Sequence, residues 1–320
     1  MRIYSRPSSP APEEDETPPT LLDLPIDVLN IITHYLFDAL LPHHLTHLAE
    51  TCATLNAALS DALAAVQADH KVASALCNHC SMPVNLFRRS IRPVADLYWD
   101  NKGLGPSHGL PLYIVLRSEA LSSLEQLYLH SNGIGREGAA AISSAVAGGA
   151  CNRLKHLYLF RNGIGDDGLH ALSAAFAQGA MRELETLGLR DNGIGDKGVA
   201  ALAQAFPPAL KALGLEENLI SDVGIRALMV SAQRDKLTSL EKLHLSSNLG
   251  PSEDPWQDAD SGVAALASAI RENKLPLLQR LTVSGQTVAS VDPQLELHRV
   301  CYERRISLAV GVGGMVFQTN

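Results

Sequence analysis

Aromatic residues are sparse in this chain, at 5% of 320 residues, and tryptophan occurs twice. Cysteine is scarce and odd in number, five residues without the regular spacing of a disulfide framework. That excludes a disulfide-stapled scaffold and points to a reducing, intracellular compartment, cytoplasmic or nuclear. Basic residues do not predominate: 26 Lys and Arg stand against 34 Asp and Glu, a net charge of −8, which excludes a general nucleic-acid binder. Long hydrophobic runs are missing as well. The first 20 residues lack the apolar core of a signal peptide, and the longest candidate run, Leu308 to Phe317, is half a membrane span and holds three glycines. A soluble protein without a membrane partner is expected, and the mean hydropathy of +0.04 agrees. No nucleophile–base pair is recoverable, and no serine stands in a Gly-x-Ser-x-Gly setting. Neither catalysis nor a cofactor is expected.

What the chain does have is one line written five times: Leu-x-x-Leu-x-Leu-x-x-Asn. It runs Leu124-Leu127-Leu129-Asn132, Leu154-Leu157-Leu159-Asn162, Leu184-Leu187-Leu189-Asn192, Leu210-Leu213-Leu215-Asn218 and Leu240-Leu243-Leu245-Asn248. The asparagines stand 30, 30, 26 and 30 residues apart. Such a period predicts an α/β leucine-rich-repeat solenoid, a horseshoe with parallel strands on the concave side and helices on the convex side. Leu127 and Leu129 share a strand face, the asparagine serves the loop amides that leave the strand, and Ile134 plugs the core. Ala139, Ile142, Ala145 and Val146 then give a helix at 3–4 spacing. A degenerate first copy, Val94-x-x-Leu97-x-Trp99-x-x-Lys102, places Lys102 where asparagine belongs, so the array begins near Ile91. A last copy, Leu278-x-x-Leu281-x-Val283-x-x-Gln286, closes it. The expected repeat domain is 91–290, followed by a cap and tail over 291–320 in which 292–310 reads as one helix.

Positions flanking the inward leucines face the concave surface. The central one reads Tyr98, Tyr128, Tyr158, Gly188, Gly214, His244 and Thr282 along successive strands. With strands about 4.8 Å apart, the tyrosines form a ladder. His130, His156 and Phe160 stand beside it, and Gly188 and Gly214 open a shallow trough beyond, flanked by Arg190 and Glu216. Aromatics on a rigid concave sheet are what protein-binding hot spots use, although cross-strand stacking would also place tyrosines there. The candidate partner site is therefore Tyr98, Tyr128, His130, His156, Tyr158, Phe160, Arg190, Glu216 and His244.

The Gly-Ile-Gly turns also match the dinucleotide pattern Gly-x-Gly-x-x-Gly, at Gly133–Gly138, Gly163–Gly168 and Gly193–Gly198. Three copies in the repeat period argue against a nucleotide site, which needs one loop, and Asp166, Asp167 and Asp196 would repel phosphate. With their Asn-Gly-Ile-Gly-Asp-x-Gly turns, the repeats resemble the ribonuclease-inhibitor subtype of leucine-rich repeats, over about residues 91–286.

Upstream, residues 1–20 carry five prolines and the run Glu13-Glu14-Asp15-Glu16, the composition of a disordered tail. Residues 21–60 read as a small all-α module. Pro25 suits a first helical turn, Ile26, Val28, Leu29, Ile32, Tyr35 and Leu36 fall at helical spacing, and Pro42 separates a second helix. The pattern Leu24-Pro25, Leu29, Ile32, Leu36, then Leu45, Leu48 and Cys52, resembles an F-box. That resemblance implies docking on the Skp adaptor of cullin-based ubiquitin ligases through Leu24, Pro25, Leu29, Ile32, Leu36, Leu45 and Leu48. Together with the repeats, the architecture resembles F-box/leucine-rich-repeat proteins, which present a protein substrate to the ligase. A monomer outside its complex is then expected. The same segment also fits a plain cap shielding the first repeat, and the Ran GTPase-activating family shares the repeat subtype, with Arg161 and Arg190 as candidate groups there.

Residues 61–90 read as a helical linker. Its Cys77-Asn-His-Cys80 is half a zinc site without a partner pair at finger spacing, so the thiols read as incidental and no metal is expected. His43, His44 and His47 read as a solvated turn. The step from Asn248 to Gly262 is lengthened by a segment with Trp256 among acids, a tolerated insertion or a partner anchor.

Overall fold

The computed structural model describes residues 67–81, 94–118, 121–248, 262–283, 292–312 and 315–318. Strands β1 Asp96–Tyr98, β2 Gln126–Tyr128, β3 His156–Tyr158, β4 Thr186–Gly188, β5 Ala212–Gly214, β6 Lys242–His244 and β7 Arg280–Thr282 alternate with helices. Helix 67–79 comes first and is called α1. The others are α2 Gly109–Leu116, α3 Gly135–Ala147, α4 Gly165–Ala177, α5 Asp196–Gln204, α6 Asp222–Gln233, α7 Gly262–Arg271 and α8 Asp292–Glu303. The sheet runs in sequence order, parallel and open, and its register lines up the central leucines: Leu97, Leu127, Leu157, Leu187, Leu213, Leu243 and Leu281. This is a leucine-rich-repeat solenoid.

The packing follows from the line of four anchors. Every anchor leucine from Leu124 to Leu245 is buried, as are Ile134, Ile164, Ile194 and Ile220 in the turns. Burying one such side chain contributes about 1.5–3 kcal/mol, but only if the next repeat covers it. The convex helices turn their apolar stripes to the same core: α4, for example, buries Leu169, Leu172, Ala175 and Phe176. The short period of the fourth repeat is taken up in α5, which has 9 residues where α3 and α4 have 13.

Each asparagine holds two repeats at once. The Asn192 amide nitrogen donates to the carbonyls of Leu189 in its own repeat and Leu159 in the previous one, at 2.9 and 3.0 Å. Its oxygen accepts from the backbone N–H groups of Asn162, at 3.0 Å, and Ile164, at 3.4 Å. Asn162, Asn218 and Asn248 repeat the pattern. Lys102 needs no such amide. Its N–H donates to Asn132 Oδ1 of the next repeat at 2.7 Å, and its carbonyl accepts from His79 Nε2, also at 2.7 Å.

A second ladder was not expected. Asp166, read above as hostile to phosphate, accepts through Oδ1 from Gly195 and Gly198 at the start of α5, at 2.7 and 2.9 Å. Asp196 does the same for Ser221 and Gly224 of the next unit, at 2.8 and 2.9 Å, and Asp222 for Gly262 at 2.8 Å. These carboxylates satisfy helix N-termini of the following repeat rather than their own, and sit where the helix dipole favours negative charge.

Two segments differ from the sequence expectation. The span 292–310 is not one helix: α8 stops at Glu303 and residues Ser307–Val312 form β8, parallel to β7. Arg305 takes a left-handed φ of 56°, and the Ile306 N–H donates to the Cys301 carbonyl at 2.8 Å. Lys236 and Lys274 close α6 and α7 by the same bond to Ser231 and Ala269. Leu308 then takes the inward leucine position opposite Leu281 and is fully buried. The unit lacks the sequence signature of the others because its helix gives way to its strand within three residues, with Arg305 in place of the leading leucine. Strand β9, Met315–Gln318, pairs antiparallel with β8. At the other end, α1 contributes Ala73, Leu76 and Cys77, and the turn after it Cys80, to the same buried cluster as Trp99 and Leu104. Burial pushes the Cys77 thiol up to about 11 and, with the nearby Cys77, the Cys80 thiol up to about 12, so both pack as small apolar groups. No helix among the described residues is long and apolar enough to cross a membrane.

Candidate functional site

The concave face is built by the two residues that flank each central leucine, because side chains alternate along a strand. Exact pairing of Tyr98, Tyr128 and Tyr158 across β1, β2 and β3 brings their rings together. Tyr98 and Tyr128 stack at 4.7 Å between centroids, Tyr128 and Tyr158 at 4.6 Å. Beside them His130 lies on Phe160 at 4.1 Å. Tyr98 remains 57% exposed, so the end of the ladder presents an aromatic surface rather than a buried one. The Tyr128 hydroxyl donates to Gln126 Oε1 at 2.9 Å. Partial desolvation under its neighbours, then Tyr158 and Asp96, raise the Tyr128 phenol above its ordinary value.

Where the tyrosines stop, the floor falls away. Gly188 and Gly214 continue the central row, and a cavity of about 400 Å³ opens over them. Tyr158 and Phe160 form one wall, Glu216 and His244 the other, and Thr186 and Ala212 complete the floor. A Cβ on Gly188 would sit 3.3 Å from the Tyr158 ring, and one on Gly214 would sit 3.0 Å from Glu216 Oε2. The trough therefore exists because both positions lack a side chain.

The charges around it are arranged in pairs. Arg190 is hydrogen-bonded to Glu217, and Arg161 lies 3.4 Å from Asp191. Arg161 also lines the trough. It was named in sequence only as a possible GTPase-contacting group. Its backbone φ of 57°, shared by the residue before each asparagine, aims its side chain outside the simple strand alternation. His156 Nδ1 lies 3.0 Å from Thr186 Oγ1, and His244 Nδ1 lies 3.2 Å from Thr282 Oγ1. The structure thus gathers Tyr158, Phe160, Arg190, Glu216 and His244 around one cavity, and ranges Tyr98, Tyr128, His130 and His156 along the sheet leading to it. Leu24, Pro25, Leu29, Ile32, Leu36, Leu45 and Leu48, the histidines at 43–47 and Trp256 lie outside the described residues.

Burial lowers the His244 pKa below 6.5, with Arg280 and Lys242 adding to the effect and Glu216 opposing it. Well above pH 6.5 the imidazole is neutral in folded and unfolded chains alike and contributes nothing to the balance. As pH falls from there towards the folded value, the unfolded chain takes up the proton first, so stability is lost. The fall in urea midpoint on acidification should accordingly be smaller in His244→Gln than in the parent. Equal acid sensitivity of the two would contradict this.

Three of the repeats, at residues 120–143, 150–173 and 181–203, match the family described as Leucine Rich repeat. No curated protein matches the chain. Leucine-rich repeats are protein-interaction modules, and the concave row described above is where this one stacks its tyrosines.

Proposed function

We propose that the chain is a non-enzymatic recognition subunit of a cullin-based ubiquitin ligase. Its concave sheet holds a protein substrate, and residues 21–60 dock a Skp-type adaptor. The observation that carries the substrate half is the stacked tyrosine ladder leading into a glycine-floored trough. A solvated sheet face has no need of Phe160 or of an outermost tyrosine more than half exposed. Rigid aromatic rings already stacked before binding lose little entropy on contact, which is why such groups anchor interfaces. The adaptor half rests on the F-box-like pattern of Leu24, Pro25, Leu29, Ile32, Leu36, Leu45 and Leu48.

Each half has its own test. A benzoylphenylalanine placed at Tyr128 should cross-link to a protein on irradiation in cell extract, whereas one at the exposed convex His170 should not. Equal labelling at both sites, or none at Tyr128, would remove the concave site. For the adaptor, the full chain should retain the purified Skp protein on beads, and the Leu29→Asp, Leu36→Asp double variant should not. A parent chain that ignores the adaptor, while circular dichroism shows it folded, returns residues 21–60 to the role of a cap.

A further inference from the structure

We infer that the trough over Gly188 and Gly214 is a receptor for a cationic side chain, arginine above all, on the segment of the partner that lies along the concave face. This rests on the concave-face reading above and adds the chemistry of the ligand. Three observations meet here.

The first is shape. The two glycines lie on adjacent strands, about 4.8 Å apart. The Tyr158 and Phe160 rings lean over one, within 3.3 and 3.7 Å of where its Cβ would be, and the Glu216 carboxylate leans over the other. What remains between them is a flat slot with an aromatic side and a carboxylate side. A planar guanidinium can stack on the first and donate to the second, which a compact ammonium cannot do as well.

The second is charge. Arg161, Arg190 and Glu216 line the cavity, with Asp191 and Glu217 holding the two arginines. Each arginine is held by a carboxylate of its own, which leaves Glu216 as the lining charge without a close cation. Arg190 is hydrogen-bonded to Glu217 and feels Glu216 only through space. His244 approaches Glu216 no nearer than 4.0 Å. Burial, Arg280 and Lys242 hold that imidazole towards its neutral form, so it does not supply the missing positive charge.

The third is desolvation. The Glu216 side chain is 26% exposed and stands over a floor of glycine and alanine. A half-buried carboxylate without a close cation is the state that an incoming guanidinium improves most, since a charge-assisted pair gains strength as water leaves. The tyrosine ladder would then carry the apolar residues of the same extended segment.

The probe is a phage-displayed library of short random peptides, selected on the immobilised full chain. Enriched clones are then assayed on three proteins: the parent, Glu216→Gln and Tyr128→Ala. The expected result is enrichment of arginine. Binding should fall roughly tenfold or more in Glu216→Gln, in line with loss of a charge-assisted contact, and citrulline in place of the arginine should fail. Enriched peptides that lack a cation, or that bind Glu216→Gln as well as the parent while losing affinity for Tyr128→Ala, would overturn the cation site and leave the concave-face reading standing. Peptides indifferent to both substitutions would overturn the two together.

Discussion

Asn192→Ala is expected to destabilise the folded chain by about 3–5 kcal/mol, a large part of the 5–15 kcal/mol typical of a folded domain. The N–H groups of Asn162 and Ile164 lose their acceptor, and the carbonyls of Leu159 and Leu189, in two different repeats, each lose one of two donors, keeping the amides of Asn162 and Asn218. An orphaned buried backbone group costs about 1–3 kcal/mol, and partial water entry keeps the sum below the full total. Asn192→Asp should not rescue the loss. It keeps an acceptor but removes one donor from each carbonyl, and it places a charge where Asn192 is 2% exposed. The measurement is the urea midpoint, together with hydrogen exchange at Asn162 and Ile164. Exchange should accelerate first at those two amides, because a solenoid loses its coupling between neighbours before it unfolds as a whole. A change smaller than about 1 kcal/mol would mean that water replaces the amide without penalty.

Gly198→Ala is the second large effect, and its sign opposes helix propensity. Alanine in place of glycine within a helix normally gains up to about 1 kcal/mol. Here the new methyl would lie 2.6 Å from Asp166 Oδ1, 3.1 Å from Asp166 Cα and 3.2 Å from Ile194 Cγ2. Either α5 moves away from the preceding unit or the carboxylate leaves the amides of Gly195 and Gly198. A net loss of about 2 kcal/mol is expected from overpacking and the lost cap together. The double variant Asp166→Ala, Gly198→Ala should lose less than the two single losses added, because the first change already removes the carboxylate that the methyl strikes. Strict additivity of the thermal midpoints would place the strain elsewhere. An added Cβ would strike the preceding carboxylate at Gly224 and Gly262 too, 2.5 Å from Asp196 Oδ1 and 2.9 Å from Asp222 Oδ1, whereas at Gly168 it would lie 2.4 Å from Ile164 Cγ2 and 3.0 Å from Ala139 Cβ. The likeness to a dinucleotide loop is thus a packing pattern: Gly163 and Gly165 serve left-handed turns, at φ of 65° and 63°, and Gly168 serves the approach of one helix to the next.

The part of the site that could be read in advance was the part governed by strand alternation. Tyr98, Tyr128 and Tyr158 share a frame relative to Leu97, Leu127 and Leu157, and a register without slip converts that frame into stacked rings. Gly188 and Gly214 fall in the same frame, so the trough was legible too. Its electrostatics were not. Strand alternation placed Arg190 and Glu216 beside the trough but gave no sign that Arg190 turns to Glu217, a residue with left-handed φ lying off the alternation. Nor was the role of Asp166 visible, since its two amide partners lie 29 and 32 residues on.

Leucine and asparagine at a fixed period were enough to determine the solenoid, its strand register and the face that meets solvent, because each repeat obeys the same local rules and can be stable only against a copy of itself. Tertiary structure alone decided which carboxylate caps which helix, that helix 67–79 joins the repeat core, that Ser307–Val312 is a strand, and that Glu216 is left without a close cation. Those outcomes depend on distances between residues of different repeats. They are set by how closely the neighbouring units pack and which way each side chain turns there, quantities that no single repeat contains.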